Sequence, residues 1–221
     1  MFAMSDSVSA RRGGRRRKEA RPSELAEAAL GLFVEKGYAA TRLDEVAARA
    51  GVSKGTLYLY FDSKEALFKA VITMGIDPVM ARGESMFAEL RDDPVALLRA
   101  LLAGWWELVG ATELAGIPKL MIAEARNFPE LARFYHEEVI SRGRALVAGA
   151  LELGIERGLI RPVDIPSAVQ VLMAPLLMLS VWRTSFSVCD ADACRPEKYL
   201  PTYFDLILNG LLVRPDAGEL S

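Results

Sequence analysis

Residues Leu43 to Phe61 read Leu-Asp-Glu-Val-Ala-Ala-Arg-Ala-Gly-Val-Ser-Lys-Gly-Thr-Leu-Tyr-Leu-Tyr-Phe, and this stretch decides the fold of the N-terminal part of the chain. Ala47 is small, as the crossing of two closely packed helices requires. Gly51 tolerates the left-handed backbone of a tight turn. Ser53 can cap a second short helix, which carries Leu57 inward. The spacing predicts a helix-turn-helix.

The outer face of the second predicted helix is polar. Lys54, Thr56, Tyr58 and Tyr60 offer an ammonium group, a hydroxyl and two phenols. These groups suit a surface that contacts phosphates and base edges. The helix therefore predicts binding to nucleic acid.

Length and charge divide the chain into unequal parts. A chain of 221 residues can form one or two domains, and we predict two. Residues 1–64 hold 12 Lys or Arg against 8 Asp or Glu, whereas the remainder holds 15 against 21. Only the N-terminal end therefore has the charge to meet a polyanion.

A basic run without apolar periodicity lies within residues 1–21, and it includes Arg15, Arg16 and Arg17. Taken alone, such a run is typical of a solvated tail. Beside a helix-turn-helix, it is also typical of an arm that engages DNA phosphates or a minor groove. We treat residues 1–21 as an unstructured arm and keep both interpretations open.

Helix signals surround the motif. Thr41 is predicted to cap the second helix of the domain, and Ser63 is predicted to cap a longer helix beyond the motif. Lys64 stands at the N-terminus of that longer helix, where a cation opposes the helix dipole. A phosphate contact would explain its position, although an ordinary exposed lysine is the alternative. From residue 75 onward the pattern is helical throughout, and a break is expected near Asp77-Pro78.

The motifs from Gly37-Tyr38 to Lys64-Glu65-Ala66-Leu67, with Ser53-Lys54-Gly55-Thr56-Leu57-Tyr58 between them, closely resemble the tetracycline-repressor (TetR) family of bacterial regulators. The stretch Ile122 to Ala132 further resembles an AefR-like subset of that family. The resemblance implies an all-α homodimer. Its domains would be a three-helix DNA-binding domain over residues 22–70 and a helical effector-binding and dimerisation domain over residues 71–221.

The resemblance also implies functional residues. DNA contacts fall on Arg42, Lys54, Gly55, Thr56, Tyr58, Tyr60 and Lys64. The family context favours a ligand pocket at Trp105, Met121, Met173 and Met178, because thioethers and amphipathic rings suit an adaptable apolar cavity. Helical stripes on the last two helices would be covered either inside a monomer or by a second copy of the chain. The resemblance favours the second copy and implies a dimer interface, which comprises Leu172, Leu176, Leu179, Arg183, Leu200, Tyr203, Phe204, Ile207 and Leu211.

Catalysis and metal binding find little support in the sequence. His136 is the only histidine, so a paired-histidine metal site is excluded, and its usual role on a helix is structural, with a pocket hydrogen bond as the alternative. Cys189 and Cys194 match neither a zinc pattern nor a disulfide framework. We predict a protein that is not an enzyme and has no cofactor.

The apolar window from Ala168 to Trp182 is interrupted by polar residues and is predicted to be a buried helix rather than a membrane span. The expected partners are a double-stranded DNA operator, a small hydrophobic or aromatic effector and a second copy of the chain, in the cytoplasm. Repression is the expected outcome. The alternatives are an activator, a helical small-molecule binding protein with vestigial DNA binding, or an all-helical enzyme.

Overall fold

A computed structural model describes residues 22–186, 189 and 195–213 of the chain. Within these ranges the regular elements are helices, and the single extended pairing is an isolated antiparallel bridge between Ile160 and Leu212. The all-α prediction is confirmed. Arg15, Arg16 and Arg17 of the basic arm, and Cys194, lie outside the described residues, whereas Cys189 is exposed.

The described residues form ten α-helices in chain order. They are α1 (Pro22–Lys36), α2 (Leu43–Arg49), α3 (Lys54–Tyr58), α4 (Lys64–Leu90), α5 (Pro94–Trp105), α6 (Gly116–Glu124), α7 (Pro129–Tyr135), α8 (Arg142–Glu156), α9 (Ile165–Ser185) and α10 (Pro196–Leu211). Two π-helical segments extend this set: Trp106–Gly110 continues α5, and His136–Ser141 joins α7 to α8 without a break. A short 3-10 turn, Glu113–Ala115, leads into α6.

The predicted turn and two of the predicted caps of the N-terminal domain are confirmed. Gly51 has a φ of 71°, the left-handed conformation that the turn requires. The Ser53 hydroxyl accepts the N–H of Thr56 at 3.1 Å, and the Ser63 hydroxyl accepts the N–H of Ala66 at 3.0 Å. These bonds satisfy N–H groups that would otherwise have no partner in the first turns of α3 and α4.

The predicted cap at Thr41 is wrong. Its side chain is buried, and its hydroxyl donates to the carbonyl oxygens of Leu32 at 3.2 Å and Gly37 at 2.8 Å. Arg42 occupies the N-cap position of α2 instead, and its backbone N–H donates to the Glu45 carboxylate at 3.4 Å. Thr41 therefore fastens the end of α1 rather than the start of α2.

The predicted helix break at Asp77-Pro78 is also wrong. The helix α4 runs for 27 residues with Pro78 inside it. Proline removes one backbone hydrogen bond from a helix interior. Burial of Ile76, Met80 and Gly83 on the same helix offsets that loss, because these residues pack into the interior on both sides of the proline. The predicted boundary at residue 70 falls inside α4, so the domain division stays a prediction.

Two clusters of buried apolar side chains hold the helices together. The first joins the helix-turn-helix to the helices behind it, since Leu57 and Phe68 belong to the same cluster as Met121 and Tyr135. The second packs α5 against α8, α9 and α10 through residues such as Leu97, Leu151 and Leu176. The N-terminal domain thus shares one core with α6 and α7.

Much of the predicted dimer stripe lies in the interior of one protomer, so its role as an interface stays a prediction without support from the structure. Leu172, Leu176, Leu179, Tyr203, Phe204 and Leu211 are all buried. Leu200 and Ile207 pack against the second cluster, and Arg183 donates to the carbonyl oxygen of Gly110 at 2.8 Å. Periodicity showed correctly that this face of each helix is covered, but the cover comes from the same chain.

A different face of the last two helices is apolar and open to solvent. Val171 and Met178 of α9 are 66% and 58% exposed, and Leu206 of α10 is 67% exposed. The 21-residue helix α9 is long and apolar enough to cross a membrane by length and composition, and 28% of its apolar window is buried. The prediction of a buried helix is therefore only partly met, since one side is buried and the other is not.

Candidate DNA-binding surface and ligand cavity

The predicted recognition helix α3 presents an exposed surface from a buried anchor. Leu57 is completely buried, in the same apolar cluster as residues of α1 and α2. Tyr58 and Tyr60 are each 43% exposed, and Leu59 between them is 81% exposed. A side chain on Gly55 would meet little besides the Ser53 hydroxyl, so another backbone can approach closely there. The structure thus leaves Lys54, Gly55, Tyr58 and Tyr60 exposed and Thr56 half-buried.

Asp44 organises the cations of this surface. Its carboxylate accepts Lys54 Nζ at 2.8 Å and Arg42 Nη2 at 3.3 Å. The hydrogen bond from Lys54 holds the pKa of the Asp44 carboxyl below its ordinary value, although desolvation acts in the opposite direction. Lys54 also lies 5.9 Å from the centre of the Tyr58 ring. In the free protein Arg42 and Lys54 are therefore paired with an acid that a DNA phosphate would have to replace or share.

Lys64 has a structural position that the sequence did not predict. Its ammonium group donates to the carbonyl oxygens of Tyr38 at 2.8 Å, Ala39 at 3.0 Å and Thr41 at 3.1 Å. It also lies 4.6 Å from the centre of the Tyr38 ring. Burial lowers the pKa of Lys64, and the Glu124 carboxylate acts in the opposite direction. An ammonium has three donors, and here all three hold the turn between α1 and α2, so its predicted phosphate contact gains no support from this geometry.

A cavity of about 600 Å³ lies among the helices of the C-terminal part. It is lined by α4, α5, α6, α7, α8, α9 and both π-helical segments. Three of the four predicted ligand residues, Trp105, Met121 and Met173, line it. This volume and apolar lining are typical of small-molecule sites.

Met178 is not among the lining residues. Met173 and Leu177 lie one helical turn apart on α9, and both face the cavity. Met178 is one residue further on, which turns its side chain about 100° away, and it is exposed to solvent. The prediction that Met178 contacts the ligand therefore finds no support in the structure.

Polar residues of the cavity were missed or underrated. Arg82, Arg144 and Gln170 line it, and so does His136, for which the sequence gave a pocket contact only as an alternative. Burial raises the pKa of the Tyr135 phenol, so this lining group stays neutral and able to donate a hydrogen bond. The sequence carried no signal for the arginines, because charged residues at helical spacing ordinarily face solvent.

The helix α6 joins the cavity to the DNA-binding domain. Met121 and Ile122 line the cavity, and at the end of the same helix Glu124 Oε1 accepts the N–H of Ala39 at 3.5 Å. At the start of α6, Gly116 lies so close to Val34 of α1 that a Cβ atom would not fit. Both ends of α6 therefore touch the helix-turn-helix domain.

Aromatic rings extend this junction. The Tyr38 ring lies 4.6 Å from Phe128, which follows α6, and 5.3 Å from Phe68 of α4, measured between ring centroids. Both pairs meet edge to face, a favourable geometry for aromatic side chains. The turn between α1 and α2 is thus packed directly against the end of a cavity-lining helix.

Comparisons with known proteins agree with this architecture. The family model described as "Bacterial regulatory proteins, tetR family" matches residues 25–71, and the model described as "Tetracyclin repressor-like, C-terminal domain" matches residues 87–193. Together these segments cover more than two thirds of the chain. The chain belongs to the TetR family of transcriptional regulators. Its helix-turn-helix is the family's DNA-binding element, and the predicted family membership is confirmed.

Individual members of the TetR family are similar to this chain over most of its length. The transcriptional repressor KstR2 of Rhodococcus jostii is 28% identical over 196 residues, which cover 88% of this chain and 92% of the relative. The regulator EthR of Mycolicibacterium smegmatis is 27% identical, with 93% and 95% covered. The solved structure of the TetR-family regulator PfmR from Thermus thermophilus superimposes with a TM-score of 0.68 at 26% identity, covering 84% of this chain and 97% of that one. These relatives are transcriptional regulators rather than enzymes.

Proposed function

We propose that this TetR-family regulator is a cytoplasmic repressor that binds a pseudo-palindromic operator as a homodimer and is released by a small ligand held in the cavity. One observation carries the proposal: α6 lines the cavity with Met121 and Ile122 and contacts the DNA-binding domain through Glu124 and Gly116. A ligand that displaces α6 would therefore displace the helix-turn-helix.

The DNA-binding side of the proposal uses the exposed surface of α3. Tyr58 and Tyr60 offer phenols, and Gly55 leaves room for the DNA backbone. Thr56 shares a hydrogen bond with Ser53 at 2.8 Å, so its hydroxyl has a defined position at the start of the helix. Lys54 and Arg42 would exchange part of their pairing with Asp44 for phosphate oxygens. This exchange is favourable because the DNA backbone carries many negative charges, whereas Asp44 offers the two cations a single exposed carboxylate.

Dimerisation would use the open apolar face of α9 and α10. Val171, Met178 and Leu206 are exposed on it, and this is more apolar surface than a lone protomer would be expected to leave in water. A second copy of the chain, related by two-fold symmetry, would cover the same patch on both protomers. Two recognition helices could then enter successive major grooves, about 34 Å apart along the DNA.

The coupling that such a switch requires is modest. A free energy of about 1–3 kcal/mol between the two sites changes operator affinity about 5- to 150-fold. That range corresponds to one or two intramolecular hydrogen bonds. Between α6 and this turn the structure gives one such bond, from the Ala39 N–H to Glu124.

The test is a titration of labelled duplexes, selected from a random pool by the protein itself, monitored by fluorescence anisotropy with random duplex as competitor. Selective binding as a dimer is expected, with the stoichiometry measured by sedimentation. Replacing Lys54 by Gln should weaken binding, whereas the same change at Lys198, an exposed lysine of α10, should have no effect. Equal affinity for selected and random duplexes would refute DNA-directed regulation. Transcription in vitro from a promoter that contains the selected site then gives the sign of regulation.

A further inference from the structure

The charged lining of the cavity has a single sign. Arg82 and Arg144 line it, and among the described lining residues there is no Asp or Glu. A solvent-exposed protein surface ordinarily carries both positive and negative side chains, and this chain has a net charge of -2. A cationic lining in an acidic protein therefore points to a ligand with negative charge.

The two arginines come from neighbouring helices at nearly the same level. Leu146 of α8 packs directly on Gly83 of α4, and Gly143 of α8 faces Met80 of α4. Arg82 precedes Gly83 and Arg144 follows Gly143, so the two side chains lie within about one turn of each other across this helix pair. Both residues are exposed, which places them at the opening of the cavity rather than at its end.

Arg144 differs from its neighbours in having no partner among the described residues. Arg82 is compensated, because it pairs with Glu89 at 3.1 Å. Arg142 pairs with Asp77 at 3.0 Å, and Arg133 pairs with Glu130 at 3.1 Å. Neither Arg142 nor Arg133 lines the cavity. Of the two arginines at the opening, Arg144 is thus the one whose guanidinium remains available to an anion.

The lining of the cavity extends furthest along the continuous helical run from α7 to α8. A sphere of 600 Å³ is about 10 Å across, whereas lining residues from Ala132 to Val147 span roughly 22 Å of helix at 1.5 Å per residue. The π-helical segment His136–Ser141 lies in the middle of this run, and such segments are frequent at functional sites. Apolar side chains, including Val139 and Ile140, line this wall beside Arg144. An apolar wall of this length can accommodate an extended chain.

We propose that the effector is an elongated amphipathic anion, with an apolar chain inside the cavity and an anionic end at Arg144. The ligand class rests on the proposed effector-responsive function. Arg144 would supply two parallel N–H donors, the geometry that carboxylate and phosphate groups accept best. A free carboxylate and an acyl chain carried on a phosphorylated carrier share this chemistry.

The first test measures direct binding to the full chain by calorimetry, with tryptophan fluorescence, to which Trp105 at the cavity contributes, as the second readout. The probes are dodecanoate, dodecanol and dodecylamine, which share one chain and differ in the charge of the end group. Dodecanoate should bind, whereas dodecanol and dodecylamine should bind at least about tenfold more weakly, because a charge-assisted hydrogen bond is lost or opposed. Dodecanoyl-coenzyme A in the same assay distinguishes a carrier-linked chain from the free acid.

The matched variants are Arg144→Gln and Arg133→Gln, on the same helical run. Arg144→Gln should weaken dodecanoate binding about 10- to 100-fold and leave dodecanol binding unchanged. Arg133→Gln should change neither affinity, since its exposed pair with Glu130 contributes little. Circular dichroism checks that both variants keep the fold.

Equal affinity for dodecanoate and dodecanol, or an unchanged dodecanoate affinity in Arg144→Gln, overturns the proposal. The same holds if neither dodecanoate nor its coenzyme A thioester binds. None of these results affects the selective DNA titration without ligand, which tests the regulatory function separately. A failure of the ligand class is therefore distinguishable from a failure of the function.

Discussion

Lys64 is the residue at which DNA contact and structural support can be separated by one substitution, Lys64→Met. Methionine keeps an unbranched side chain of similar length and removes the ammonium group. The three carbonyl oxygens of Tyr38, Ala39 and Thr41 then lose their donor. Two of the three hydrogen bonds are partly buried, and water can replace the donor only incompletely there.

The expected loss of stability follows from these bonds. Hydrogen bonds to charged groups contribute about 1.5–3 kcal/mol each, but bonds that share one donor group are not additive. Part of the gain is offset by the desolvation of the ammonium, which is the cause of the lowered pKa of Lys64. We therefore expect the variant to lose about 2–4 kcal/mol of unfolding free energy. With a urea slope near 2 kcal/mol per molar, the midpoint would fall by about 1–2 M.

The measurement is urea unfolding followed by circular dichroism, at one fixed protein concentration because a dimer is expected. The control is Lys69→Met on the same helix, whose ammonium pairs with Glu65 at 2.7 Å in an exposed i,i+4 arrangement. That pair should contribute about 0.3–0.5 kcal/mol. An unchanged midpoint for Lys64→Met together with a large loss of operator affinity would refute the structural role and restore the direct phosphate contact.

The remaining predictions concern the other charged and cavity residues. Asp44→Asn should tighten operator binding, because Lys54 and Arg42 lose their carboxylate partner. The slope of log affinity against log salt should become steeper by about one per protomer. Weaker binding would show that Asp44 only positions Lys54. Met173→Trp should fill the cavity and abolish effector release while operator affinity stays unchanged, and a variant still released by the effector would place the site elsewhere. Replacing Arg15, Arg16 and Arg17 by Ala should flatten the salt slope in proportion to the phosphates they neutralise, and an unchanged slope would make the basic run a passive tail.

Local sequence signals were sufficient for the helix-turn-helix. Gly51 and Ser53 act on backbone within three residues of themselves, and Leu57 needs only the period of one helix. Such signals do not depend on what the rest of the chain does. For this reason α2, the turn and α3 were predicted in place.

Interactions between distant residues were the ones that the sequence concealed. Lys64 reaches carbonyl oxygens 23 to 26 residues away, and no local pattern identifies which carbonyls those are. Leu172 and Leu176 were correctly assigned to a covered face, but periodicity does not say whether the cover is the same chain or a partner. Pro78 was predicted to break the helix because proline has a low helix propensity. Propensity is a weak prior, and tertiary packing overrides it here.

The cavity residues were predicted from their residue type and not from the direction in which their side chains point. Methionines and a tryptophan suit an adaptable pocket, which identified Trp105, Met121 and Met173. The direction of a side chain depends on the rotational phase of its helix. A difference of one residue separates Leu177, which lines the cavity, from Met178, which is exposed. A π-helical segment also shifts the phase of the helix that follows it, so the position of Arg144 at the cavity opening could not be read from a period of 3.6.

The two helices that line the cavity and reach the DNA-binding domain converge on one short turn. Lys64 from α4 holds the carbonyl oxygens of Tyr38, Ala39 and Thr41, and Glu124 from α6 accepts the N–H of Ala39. This turn ends at Arg42, the N-cap of α2, so its position sets the position of the helix on which α3 rests. A ligand that separates α4 from α6 at the cavity would strain these bonds from both sides. Since one such bond contributes about 0.5–3 kcal/mol, the loss of a single bond supplies the 1–3 kcal/mol that the coupling needs.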